Sequence, residues 1–244
     1  MTTAIETVGQ YVAHDNRTAA IFSKYKIDFC CKGHRTVEEV CEEKGLTPES
    51  LKAELFAVMA TKAIDEVDFT SWPAAELADY IEKNHHKYIE EKTPILLAYL
   101  HKLCAVHGDK HPELHEINTL FQISAAALAH HMKKEELVLF PFIKKMQMAL
   151  QEQINIVQPP FGSIDTPLGA LQEDHESEGN LLAKIAELTN QYTPPAEACE
   201  TYQITLALLR EFEQNLHQHI HLENNILFLK AKEMEGLFSV IENI

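Results

Sequence analysis

The chain has 244 residues, 45% of them hydrophobic and 24% charged, which suits one large globular domain or a small one joined to a medium one. A formal net charge of −16 leaves nothing to offset phosphate repulsion and excludes a nucleic-acid binder. No run of about 18 apolar residues is present, so no transmembrane helix is expected. Residues 1–6 lack the basic and apolar regions of a signal peptide. The five cysteines are an odd number without disulfide-framework spacing. Both features point to the cytoplasm. Eight glycines are few, and period-two alternation is scarce, which favours an all-α chain. The 14 histidines are more than surface solvation requires.

Short helices are predicted over 6–13 and 16–25. A third, over 36–44, opens on the capping box Thr36-Val37-Glu38-Glu39 and stops at Gly45. A fourth starts at Thr47-Pro48, with Thr47 as N-cap and proline in the first turn, and carries Leu51, Leu55 and Val58 to about residue 62. So small a segment, 1–62, needs a packing partner, which argues for a homodimer. Residues 63–72 read as a linker. Four long helical patterns follow within 73–244: 74–106 with Pro94 as a kink, 112–148 with Pro141 near its end, 166–191, and 196–232. A break at 157–163 separates the second from the third. Four long helices joined by turn-rich breaks predict an antiparallel four-helix bundle.

Two of these helices carry H-x-x-x-E: His131-Met132-Lys133-Lys134-Glu135 and His219-Ile220-His221-Leu222-Glu223. Residues four apart lie on one helix face, so each segment aims an imidazole and a carboxylate at one point. Both pairs fall in the apolar stripe. In the second long helix the stripe is Phe121, Ser124, Leu128, His131, Glu135, Val138 and Phe142. In the fourth it is Leu209, Phe212, Leu216, His219, Glu223 and Ile226. Burying unpaired carboxylates costs several kcal/mol or more, so they require a partner.

The first long helix adds His86, with Ile89 and Thr93 on its stripe toward Leu97 and Leu100. The third adds His175, with Leu171, Glu178, Leu182 and Ile185. His86, His131, His175 and His219 are separated by 45, 44 and 44 positions, so an up-down-up-down bundle sets them in one layer. A half-helix of about 15 residues spans roughly 22 Å, which places that layer deep. Four imidazoles and two carboxylates suit two first-row metal ions. Two irons can take two histidines each, with Glu135 and Glu223 and an oxide bridging them. Zinc fits less well, because structural zinc sites are four-coordinate and cysteine-rich. Glu90, Asp174 and Glu178 are candidates to balance the charge. His85, His107, His111, His115, His130, His217 and His221 read as surface or rim residues.

With these residues in view, the chain resembles the iron–sulfur cluster repair di-iron proteins (the RIC family) over nearly its whole length. Tyr25-Lys26-Ile27-Asp28-Phe29-Cys30-Cys31-Lys32-Gly33 is similar to that family's vicinal-cysteine motif. The stretches from His131 to Pro141 and from His219 to Phe228 are similar to its hemerythrin-like signatures. Two departures stand out: Leu229 where the family has proline, and Ile89 where some members have a second histidine. The resemblance implies an all-α, hemerythrin-like four-helix bundle with a small N-terminal helical domain. It implies a non-haem, oxo- and carboxylate-bridged di-iron centre on the six residues above, and repair of iron–sulfur clusters damaged by nitric oxide or peroxide. Iron–sulfur proteins are then the clients. Nitric oxide or oxygen are the small ligands, and nitric oxide reduction at the centre is an open activity. A hemerythrin-like oxygen carrier or sensor is the alternative.

Cys30 and Cys31 read as thiol chemistry: accepting a nitrosyl group, pairing with another thiol or passing iron. A disulfide between sequence neighbours is strained, and Lys32 with a nearby helix start is expected to lower a thiol pKa. Cys41, Cys104 and Cys199 read as packing residues.

Overall fold

The computed structural model describes residues 6–61, 67–156 and 159–241. Residues 1–5, 62–66, 157–158 and 242–244 lie outside it, and with them most of the segment read for a signal peptide, Ala63 to Glu66 of the expected linker, and part of the break before the third long helix. Among the described residues the chain is helical, with a single isolated bridge between Thr7 and Thr36. It is all-α, as its composition indicates. Two compact units are present: one of residues 1–77 and 220–244, the other of residues 78–219.

In the first unit, α1 (Val8–His14), α2 (Thr18–Lys24), α3 (Val37–Lys44) and α4 (Pro48–Met59) bury Val8, Tyr11, Val12, Phe22, Val37, Val40, Leu51 and Leu55. Both α1 and α3 start with a capping box, on Thr7/Gln10 and Thr36/Glu39. The second of these, with Gly45 in the left-handed region at φ 66°, is the one read from sequence. Thr47 makes no side-chain cap bond, and Pro48 opens α4 by its fixed φ alone. The backbone closes on itself through Val8 N donating to Arg35 O and Gly9 N to Gly33 O. α11 (Phe228–Ile241) belongs to this unit, and Lys230 Nζ donates to the Thr70 carbonyl at 2.8 Å. The small N-terminal segment has a packing partner within its own chain at residues 223–227, where Asn224 and Asn225 donate to the carbonyls of Phe29 and Cys30.

The second unit holds the long helices that form the bundle. α5 (Ala74–Ile81) and α6 (Lys87–His107) are one run joined by a wide π-type turn at Glu82–His86. α7 (Glu113–Lys134) and α8 (Phe140–Glu152) join through a second such turn at Glu135–Leu139. α9 (Asp165–Leu188) ends at a left-handed run, Asn190, Gln191 and Tyr192, with φ of 45°, 57° and 58°. α10 (Glu200–Leu222) runs on into α11 through a third wide turn at Glu223–Leu227. Ring pairs such as Phe121 with Phe212, centroids 5.3 Å apart, tie α7 to α10.

The predicted stripes hold along α9 and α10, where every named residue is buried. They slip in two places. Val138 is 47% exposed and Leu139 is buried instead, because the wide turn inserts an extra residue after Glu135 and rotates the next stretch of helix about its axis. Leu96 rather than Leu97 continues inward from Thr93, through a step of three instead of four. Pro94 sits within α6 and does not break it.

Candidate metal centre

The H-x-x-x-E segment of α7 ends where its wide turn begins. His131 and Glu135 face inward, with His131 Nε2 at 3.3 Å from Glu135 Oε2. His86, the last residue of the turn before α6, approaches the same Glu135 oxygen at 3.4 Å. His175 Nε2 lies 3.0 Å from His131 Nε2, and His86 Nε2 lies 3.3 Å from His219 Nε2. The helix of His219 continues without a break to Glu223, four residues along its face. The donors form two groups that share both carboxylates, His86/His219/Glu135/Glu223 and His131/His175/Glu135/Glu223. Within each, the ligating atoms lie within 4.8 Å of one another, and every residue is buried.

This arrangement fits a pair of metal ions. Two imidazoles bound cis to one ion through bonds of about 2.1 Å place their nitrogens about 3.0 Å apart, near the separation in both histidine pairs. Two glutamates in an apolar interior are costly without a cation, and each belongs to both donor groups. Imidazole with carboxylate is the donor chemistry of first-row ions such as iron, manganese or zinc.

The outer nitrogens of two ligands are held by acids. His86 Nδ1 lies 3.0 Å from Glu136 Oε1, and His131 Nδ1 lies 3.2 Å from Asp174 Oδ2. Such contacts favour a proton on Nδ1 and direct the Nε2 lone pair at the centre. Lys133 reaches Glu136, and Lys134 donates to Asp174 at 2.7 Å. Burial pushes the Asp174 carboxyl up, but hydrogen bonds from Lys134 and His131 outweigh it and hold the group below its ordinary value. Of the three acids expected around the centre, Asp174 takes that place. Glu90 instead pairs with Lys133 at the surface. Glu178 is buried, receives the Ser124 hydroxyl, and is pushed up by burial against the pull of Ser124, His131 and His175.

Glu136 and two histidines escaped the sequence reading. His85 is buried, not on the rim: its ring stacks on His219 with centroids 5.8 Å apart, and its Nδ1 meets Asn215 Oδ1 at 3.2 Å. His221 is buried against Phe29, and burial holds its pKa down at about 4. One signal in the sequence does mark the wide turns. Phe140 and Phe228 each follow a centre glutamate by five residues, the repeat of a π-type turn, and both are fully buried. Phe140 stacks on His86 at 5.6 Å.

Cys30 is buried and Cys31 half-buried, neither in a disulfide, with sulfurs 3.8 Å apart. Asp28 Oδ1 accepts the backbone N–H of each, at 3.0 and 2.9 Å, and the Cys30 thiol at 3.3 Å. The adjoining Cys31 sulfur, burial and the Asp28 carboxylate hold the Cys30 thiol well above its ordinary pKa, opposite to the expected lowering. The loop is pinned by Asn225 Nδ2, which donates to the carbonyls of Phe29 and Cys30, and by Asn224 Nδ2, which donates to that of Cys30. Cys41 is buried and Cys104 donates to the Leu114 carbonyl, but Cys199 is exposed and lies 3.2 Å from His107 Nε2 rather than in packing.

Fold and centre together define a hemerythrin-like cation-binding bundle. Residues 77–231 match the model of the hemerythrin HHE cation binding domain, and residues 4–59 match a domain of unknown function (DUF542). The iron–sulfur cluster repair protein ScdA of Staphylococcus haemolyticus is 32% identical over 232 residues, covering 94% of this chain and 99% of that protein. The iron–sulfur cluster repair proteins YtfE of Escherichia coli and Citrobacter koseri are each 33% identical over 226 residues, covering 93% of this chain and 96% of theirs. The chain belongs to the iron–sulfur cluster repair protein family.

Proposed function

We infer that this protein repairs iron–sulfur clusters damaged by nitrosative or oxidative stress. We assign His86, His131, Glu135, His175, His219 and Glu223 as ligands of two non-haem iron ions. The observation that carries the reading is the pair of buried four-residue groups sharing both carboxylates, in a chain whose relatives bear the repair name over nearly their full length. Bound there, two irons supply redox chemistry and positions for a small ligand such as nitric oxide. The chain's own residues do the rest. Asp174 and Glu136 orient the His131 and His86 rings, and the apolar stripe excludes water. Each glutamate belongs to both donor groups and would serve both ions, so its displacement would weaken the hold on both, which suits a protein that gives iron up. Clients are proteins with iron–sulfur clusters. Five free cysteines agree with a reducing compartment, and we place the protein in the cytoplasm. No helix among the described residues is long and apolar enough to cross a membrane.

The test is restoration of a hydratase whose four-iron cluster has been damaged by peroxide or nitric oxide. Iron-loaded protein is expected to restore activity under anaerobic conditions, and Glu135→Leu or Glu223→Leu is expected not to. Recovery no better than with free ferrous iron and thiol overturns the reading. Nitric oxide reduction is tested separately, by assaying nitrous oxide from the diferrous protein with reductant present. An oxygen carrier is not favoured: the relatives are named for repair, and carriage has no use for the paired thiols.

A further inference from the structure

We propose that Asp28, Cys30 and Cys31 form a second, mononuclear metal site, open on one side, for a divalent cation of borderline softness such as iron(II) or zinc(II). The three ligating atoms lie within 4.8 Å of one another. Two of the spacings are near those around a bound ion. Two thiolates on a tetrahedral ion with bonds of about 2.3 Å sit about 3.8 Å apart, and a carboxylate oxygen at about 2.0 Å sits about 3.5 Å from each sulfur. The Cys30 and Cys31 sulfurs are 3.8 Å apart, and Asp28 Oδ1 is 3.3 Å from the Cys30 sulfur. No large rearrangement is needed to place an ion between them.

The loop is held in this shape through its backbone and the Asp28 carboxylate. Asp28 Oδ1 is fixed by two backbone N–H groups, and the carbonyls of Phe29 and Cys30 are taken up by Asn224 and Asn225. Gly9 and Gly33 allow the close approach of Asn225: a Cβ on either would lie 2.4 and 2.6 Å from its Oδ1. Rigid support around a ligand set lowers the ordering cost of binding. Binding displaces a proton from each neutral thiol, so occupancy rises with pH. Three protein ligands leave the fourth position of a tetrahedral ion to water or to an incoming thiol. Structural zinc sites close that position with a fourth protein ligand, whereas an open one suits an ion that exchanges.

The experiment titrates cobalt(II) into the full-length, reduced, metal-free protein. A thiolate-to-cobalt charge-transfer band in the near ultraviolet is expected, with the amplitude of one ion per chain, while cobalt at the histidine centre gives no such band. Zinc(II), or iron(II) under anaerobic conditions, is expected to abolish it. Cys30→Ser and Cys31→Ser should each remove most of the band, and Asp28→Asn, which keeps the loop's hydrogen-bond acceptor, should weaken binding at least tenfold. Glu135→Leu should leave the band intact, which separates this site from the histidine centre: either can fail while the other stands. A band that is absent, or that survives Cys30→Ser, overturns the proposal, and unchanged affinity in Asp28→Asn removes the carboxylate from it. If the serine variants do not fold, X-ray absorption at the zinc edge decides. Glu135→Leu protein loaded with one equivalent of zinc should show two sulfur neighbours at about 2.3 Å, and none would overturn the site.

Discussion

Glu135 is fully buried within reach of two histidines, and its side chain belongs to both donor groups. Glu135→Leu is expected to reduce bound metal by more than half, read by metal analysis, because this carboxylate belongs to both donor groups. The metal-free variant should be no less stable than the metal-free parent, since replacing a buried charge by a well-packed apolar side chain is often neutral or stabilising. Two glycines make an opposite pair. A Cβ on Gly33 would lie 2.5 Å from the Phe29 carbonyl oxygen, which is backbone and cannot swing away. Gly33→Ala is expected to cost about 1–3 kcal/mol in denaturant unfolding. Gly169, inside α9, has nothing within 4 Å of its Cβ position, and Gly169→Ala should stabilise by about 0.5–1 kcal/mol. The inward histidines were legible because a polar residue in an apolar stripe breaks the pattern and demands a reason. Glu136 was not, because it lies next to the stripe and acts only through a ring nitrogen of His86 on another helix.

At the level of the helix, the three wide turns explain most of what the sequence reading missed. An ideal α-helix turns neighbours about 100° apart, so His85 and His86 are not expected to be buried together. They are, at the end of a π-type turn. The same geometry sends Val138 outward. Pro141 comes directly after the second turn and lacks the N–H that a regular α-helix would bond to Leu137. Deleting Leu137, which is 72% exposed, removes the extra residue while keeping His131 and Glu135 four apart. The turn should then revert to α-helix with Phe140 four residues after Glu135 and still over the His86 ring, so melting temperature and metal content should both be kept, as calorimetry and metal analysis on one sample would show. Loss of both would mean that the wide turn does more than set the register of α8.

At the scale of the whole molecule, stability should respond to pH through Glu213. Burial pushes the Glu213 carboxyl up to about 7, against the pull of Tyr192 and Arg210. Between its ordinary value near 4.5 and about 7, the folded chain holds a proton that the unfolded chain has lost, so stability falls as pH rises through that window. The effect should be on the order of 1–2 kcal/mol after allowing for partial exposure, and Glu213→Gln should flatten it in denaturant midpoints compared at about pH 5 and about pH 7.5. Helix number, order and approximate ends were readable because each long helix buries one continuous stripe. The place of α11 in the N-terminal unit was not, because nothing local in Phe228–Ile241 records which distant residues it will cover.

The repeated run from histidine through glutamate to phenylalanine has a consequence for ancestry. His131, Glu135 and Phe140 have the same spacing as His219, Glu223 and Phe228, and each trio is preceded at a similar distance by a single inward histidine, His86 or His175. Exchanging the two halves carries the donor group of His86 and His219 onto that of His175 and His131. This is the pattern that duplication of a two-helix gene leaves behind, and a half-length forebear could have assembled the same six donors by pairing with its twin.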